Sequence, residues 1–171
     1  MDEHRPLDES GQSRICRLFL SKLGRTPDKA KRQAILSACI KVRSPWVEEL
    51  LWESLADPNE SVRDLVSREL RRREPLSLEQ ALKRLRRPPW YARSSALVII
   101  GHRHLRQAIP EIRRIVDDTN ADVRRAAAEA LGEIGGEEAL RLLVRLKKDA
   151  NPYVKAAAEE AILKTSGVRI S

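Results

Sequence analysis

Asn120-Ala-Asp-Val-Arg-Arg-Ala-Ala-Ala-Glu-Ala-Leu-Gly-Glu-Ile-Gly135 is the stretch that decides the fold. Val123, Ala126, Ala127, Ala130 and Leu131 fall at offsets 0, 3, 4, 7 and 8, which is one face of an α-helix. Asn120 stands where an N-cap side chain satisfies free backbone N–H groups, and Gly132 follows the last apolar residue, where a helix can terminate. Segments 59–70, 89–100 and 151–162 superimpose on this unit. Their first apolar positions, with that of the quoted stretch, are Val62, Ala92, Val123 and Val154, which recur at a nearly constant interval. The last apolar positions, Leu70, Ile100, Leu131 and Ile162, keep the same interval. Gly101 and Gly132 are likewise one repeat apart, and Pro152 fits a first helical turn, where its missing N–H costs nothing.

A second helix precedes each unit. Leu140, Leu143 and Leu146 match Ile109, Ile112 and Ile115 one repeat earlier. Segments 78–87 and 45–56 occupy the equivalent places, the latter opened by Ser44-Pro45. One amphipathic pair cannot bury its apolar face alone, so neighbouring pairs must stack. The pattern predicts an all-α fold, a right-handed α-solenoid of about five helix pairs, filling a single domain over 13–165. A flexible tail is expected at 1–12 and a C-terminal tail at 166–171.

Composition agrees with helix. The chain has 171 residues, 42% hydrophobic and only 4% aromatic, so its apolar content is mostly Leu, Ala, Ile and Val. No run approaches the roughly 20 apolar residues that span a bilayer, and the segment 1–12 lacks the layout of a secretory signal. Cys16 and Cys39 stand alone and are not spaced as metal ligands, which fits reduced thiols in a cytoplasmic protein. The net charge of +8 is concentrated: the segment 60–115 carries +8, against +1 before it and −1 after.

The quoted stretch and Asn151-Pro-Tyr-Val-Lys-Ala-Ala-Ala-Glu-Glu-Ala-Ile162 resemble the HEAT-like repeat first described in phycobilisome lyases. The resemblance is strong over 104–165, moderate over 44–103 and weaker over 13–43, where Arg32 stands at the place of Val62; that first pair reads as a degenerate cap. In that family a basic residue at the position of Arg63, Arg93, Arg124 and Lys155 commonly pairs with an Asp of the inter-helix turn, and Asp57, Asp118 and Asp149 supply such partners. Some members, the deoxyhypusine hydroxylases, are described as holding iron through His-Glu pairs at the start of the second helix. Aligning on Ala-Glu-Ala-Leu-Gly puts those positions at Arg125 and Ala126, neither of which binds a metal. His102 and His104 flank Arg103 without a carboxylate in matched spacing, so they read as solvated turn residues and no metal or cofactor is expected. HEAT-like alkylpurine DNA glycosylases are faintly resembled by Pro89-Trp90-Tyr91-Ala92-Arg93, but no partner for their catalytic Asp is found.

No nucleophile turn or phosphate-cradling loop is present, and the sequence reading is non-enzymatic: a scaffold that binds another protein on the concave face of the second helices. At offsets 5 and 6, expected to face outward, only the unit containing Leu97 and Val98 is apolar, which suggests a hydrophobic anchor. Arg68, Arg93, Arg124 and Arg125 complete the expected partner-binding set. The alternative is binding of nucleic acid or another polyanion through Arg71, Arg72, Arg73, Lys83, Arg84, Arg86, Arg87, Trp90, Arg103 and Arg106, since guanidinium groups suit phosphate and an aromatic can stack on a base. Trp46 and Trp52 flank the core stripe of their helix and are expected to pack against an adjacent repeat.

Overall fold

The structure is a computed structural model that describes residues 9–165. Among these are ten α-helices and one 3₁₀ turn, and no strand. The helices form pairs: α1 (Glu9–Gly24) with α2 (Lys29–Ile40), α3 (Pro45–Ser54) with α4 (Glu60–Arg72), α5 (Leu78–Leu85) with α6 (Trp90–His102), α7 (Ile109–Ile115) with α8 (Ala121–Ile134), and α9 (Glu137–Leu146) with α10 (Pro152–Thr165). The paired, all-helical architecture is the expected one. The chain packs as two compact units, Met1–Leu76 and Ser77–Ser171. The first helix begins at Glu9, ahead of the boundary expected at 13, and the segments 1–8 and 166–171 lie outside the described residues. None of the described helices is long and apolar enough to cross a membrane.

The helix starts are set by side-chain caps. Asn120 accepts from the backbone N–H of Asp122 and Val123, Asn151 from Tyr153 and Val154, and Asn59 from Ser61. Each of these asparagines is itself held by an aspartate two places before it: the Oδ1 atoms of Asp57, Asp118 and Asp149 accept from the N–H of Asn59, Asn120 and Asn151 at 2.8, 2.9 and 2.8 Å. Asp-x-Asn is thus a two-step turn, in which the aspartate fixes the residue that fixes the helix. The third pair lacks it. Arg87-Pro88-Pro89 stands in its place, and Pro89 begins α6 without a side-chain cap.

In unit 77–171 the core lies between successive second helices. Val123, Ala127 and Leu131 of α8 are fully buried, as are Leu97, Ile99 and Ile100 of α6. Gly101 and Gly132 do not end their helices as expected; α6 runs on to His102 and α8 to Ile134. Their missing side chains let neighbouring helices touch. A Cβ on Gly101 would lie 2.8 Å from the Ala130 Cα, and one on Gly132 would lie 2.7 Å from the Ala161 Cβ. Gly135, at φ 66°, is the residue that closes α8, and Gly136, at φ 90°, is the N-cap that opens α9. In unit 1–76, Phe19 of α1 stacks on Trp46 of α3 with ring centroids 5.2 Å apart, and Trp52 is buried with its Nε1 donating to Glu48 Oε1 at 3.2 Å. Both tryptophans therefore serve packing. Cys16 and Cys39 are buried free thiols, and burial pushes the Cys39 thiol up, against the pull of Lys22.

Candidate functional site

Arginine recurs at the start of the first four second helices, with Lys155 in the fifth, and performs one or both of two tasks. Its Nη1 closes the turn that precedes its own helix: Arg32 donates to Thr26 O and Pro27 O, Arg63 to Asp57 O and Pro58 O, and Arg124 to Asp118 O and Thr119 O. Its remaining edge reaches the turn of the next repeat. Arg32 Nε and Nη2 grip Asp57 at 2.7 and 3.0 Å, and Arg124 Nε and Nη2 grip Asp149 at the same two distances. Each is a side-on bidentate pair with both partners largely shielded from solvent. These bonds raise the Arg32 and Arg124 guanidiniums above their ordinary range, and the Arg124 bond holds the Asp149 carboxyl below its own.

Arg93 makes the same rung less completely. Only Nη2 reaches Asp118, at 3.0 Å, and its buried Nε has no hydrogen-bond partner. The Pro88 carbonyl, equivalent to those used by the other three arginines, accepts from Arg84 Nη2. The structure therefore assigns Arg93 and Arg124, expected among the partner-binding residues, to a ladder inside unit 77–171.

The other expected contacts separate. Leu97 is fully buried, because offset 5 is the side on which the next second helix packs; Ala128 of α8 is buried in the same way. The expectation that Leu97 faces outward is corrected, and only Val98, 41% exposed, keeps that orientation. Arg68 is exposed on α4. Arg125 is exposed on α8 and tied within its own helix, donating to Glu129 Oε1 at 2.8 Å with Asp122 at 4.0 Å on its other side.

The basic middle is not one exposed cationic face. Arg73 is buried, donating to Val42 O at 2.8 Å and to Glu69 Oε1 at 3.2 Å, and Arg84 is buried against the Pro88 carbonyl. Arg86 grips Glu111 through Nε and Nη2 at 3.1 and 2.8 Å, which keeps the Glu111 carboxyl below its usual range. Arg71 bonds Ser67 O in its own helix. Arg72, Arg87 and Arg106 are exposed, and Lys83 and Arg103 are partly so. Trp90 is 43% exposed and meets Tyr91 edge-on, with centroids 5.7 Å apart. A count of charge along the chain does not show Glu69 and Glu111, which neutralise Arg73 and Arg86. The step from Arg86 to Glu111, the same as from Arg124 to Asp149, was the available signal.

His102 lies in the last turn of α6, and His104, at φ 49°, sets Nδ1 2.7 Å from the Glu133 carbonyl. No group of three or more His, Cys, Asp or Glu among the described residues is placed to hold a metal ion.

Residues 77–163 match a family model described as HEAT repeats. A deoxyhypusine hydroxylase of Danio rerio is 36% identical over 66 residues, which covers 37% of this chain and 22% of that protein. A solved structure of human deoxyhypusine hydroxylase in complex with glycerol superposes with a TM-score of 0.57 at 17% identity, over 90% of this chain and 63% of that one. The chain thus spans about a fifth of the curated relative and under two thirds of the solved one. The curated relative is an enzyme by name, and it overturns the expectation of a non-enzymatic scaffold. The iron that this resemblance implies does not fit the aligned residues: Arg125 is a cation already paired to carboxylates, and Ala126 is buried without a donor atom.

Proposed function

This chain belongs to the HEAT-repeat family, and we propose that it works as part of an enzyme of the kind its named relatives represent, supplying a repeat-built surface on which a deoxyhypusine-bearing substrate is held. The observation that carries this reading is the 36% identity to the hydroxylase over 66 residues. The rest of the support is physical. A site built on helices is more precise than one built on loops, provided the helices cannot shift. The Arg–Asp rungs and the glycine contacts supply that rigidity in unit 77–171. They leave Val98, Arg125, Glu129 and Tyr153 exposed on α6, α8 and α10, where a substrate can be met by an apolar contact and a fixed pair of opposite charges.

The experiment titrates the immobilised full-length chain with a deoxyhypusine-bearing protein, and with the same protein in which that residue is replaced. Substrate recognition requires affinity for the first to be about tenfold or more the higher, a difference of about 1.4 kcal/mol. Equal affinity for the two proteins overturns the reading. A chain carrying Arg125→Ala with Glu129→Ala should lose most of the difference while keeping its helical circular-dichroism signal.

A further inference from the structure

We infer that the second helices of this chain keep the place where the resembled hydroxylases hold iron but have given up its chemistry, so that whatever is done on this face is done without iron bound there. The inference concerns the chain's own donors and does not depend on which substrate it holds.

The register comes from the last apolar residue of each second helix: Ile40, Leu70, Ile100, Leu131 and Ile162. Six places before it stand Ala34, Asp64, Ser94, Arg125 and Ala156, and five before it stand Ile35, Leu65, Ser95, Ala126 and Ala157. Ala34, Asp64, Arg125 and Ala156 of the first series are exposed, as a ligand-bearing face must be, whereas Ser94 is half-buried with its Oγ shielded from solvent. Iron is bound by imidazole nitrogen and carboxylate oxygen. Only Asp64 in the two series carries such an atom, and one carboxylate does not hold a divalent cation against water.

On α8 the replacement opposes a metal actively. Arg125 places a guanidinium where a cation would sit and engages Glu129, the nearest spare carboxylate on its face. Ala126 is 4% exposed, so its position has turned from ligand to core. The histidines of unit 77–171, His102 and His104, stand at the opposite end of α6 from Ser94 and in the turn beyond it.

The test uses cobalt(II), a spectroscopic stand-in for iron, with the full-length chain. Equilibrium dialysis and the visible spectrum should show well under one equivalent retained and no ligand-field bands. About one equivalent or more, with such bands, overturns the inference. The second arm restores the donors on neighbouring helices: Ser94→His, Ser95→Glu, Arg125→His and Ala126→Glu together. That chain should gain cobalt and its bands. If Glu at 126 prevents folding, the triple variant that leaves Ala126 in place still supplies three donors. A folded variant that takes up no cobalt means these positions are not a donor face, and the inference falls. Both arms read metal rather than substrate, so their failure is distinct from a failure of substrate recognition.

Discussion

Asp149 accepts three hydrogen bonds with one carboxylate, two from Arg124 and one from the N–H of Asn151. Asp149→Asn keeps the shape but replaces a charge-assisted pair with a weaker contact and faces Arg124 with an amide. Between the small worth of an exposed pair and the large cost of breaking a buried one, about 1–2 kcal/mol of stability should be lost, read from urea unfolding. The pH dependence has a definite sign. Arg124 holds the Asp149 carboxyl below its ordinary value, and Arg86 does the same for Glu111. Groups whose pKa is depressed in the folded state stabilise it fully above their unfolded values of about 4, and that stability is lost as pH falls further. Melting temperature should therefore drop between about pH 5 and pH 3, less steeply in Asp149→Asn; parallel profiles would show that the rung carries none of the acid sensitivity. Arg93 gives an internal comparison. Its single-edged contact and orphaned Nε predict that Arg93→Gln costs clearly less than Arg124→Gln, and equal losses in the same denaturant series would refute that ranking.

At the scale of the helix, the close approach of α6, α8 and α10 is set by what glycine omits. Helix propensity alone predicts that Gly→Ala stabilises by about 1 kcal/mol. Space predicts the opposite. A Cβ on Gly101 meets backbone, the Ala130 Cα at 2.8 Å, whereas one on Gly132 chiefly meets the Ala161 Cβ at 2.7 Å. Gly101→Ala should therefore destabilise by about 1–3 kcal/mol. A double-mutant cycle should find strong coupling between Gly132→Ala and Ala161→Gly and little between Gly101→Ala and Ala130→Gly; a stabilising Gly101→Ala would sink the packing account. These positions also mark where the sequence could be read and where it could not. Offsets 0 and 4 are fully buried in all four units, as helical periodicity predicts from the chain's own geometry, while offsets 3, 7 and 8 are half-buried in some of them. A glycine after the last apolar residue looks the same whether it ends a helix or admits a neighbour. Leu97 was misplaced for a related reason: its helix has a second buried side, covered by the second helix of the adjoining repeat, and one helix's periodicity does not reveal its partner.

For the whole molecule, charge shows the same division between what is local and what is not. The excess of +8 over 60–115 can be counted from the sequence, but the burial of Arg73 and Arg84 and the pairing of Arg86 belong to the packed units. The candidate face was legible as a register, through the recurring second-helix start, while its missing iron donors were legible only beside a resemblance. Stability in a repeat array is close to a sum over units and their nearest-neighbour interfaces. Unit 77–171 holds both members of Arg86–Glu111, Arg93–Asp118, Arg113–Glu138, Arg124–Asp149 and Arg145–Asp117, along with both glycine contacts. A fragment of residues 77–171 expressed alone should therefore fold: its helical circular-dichroism signal per residue should match that expected for α5–α10, and its thermal unfolding should be cooperative. Asp149→Asn should lower unfolding free energy in the fragment by the same amount as in the full chain, because the rung and its neighbours are present in both. A fragment that melts without a transition, or in which the substitution has no effect, would mean that these rungs draw their worth from outside the unit that contains them.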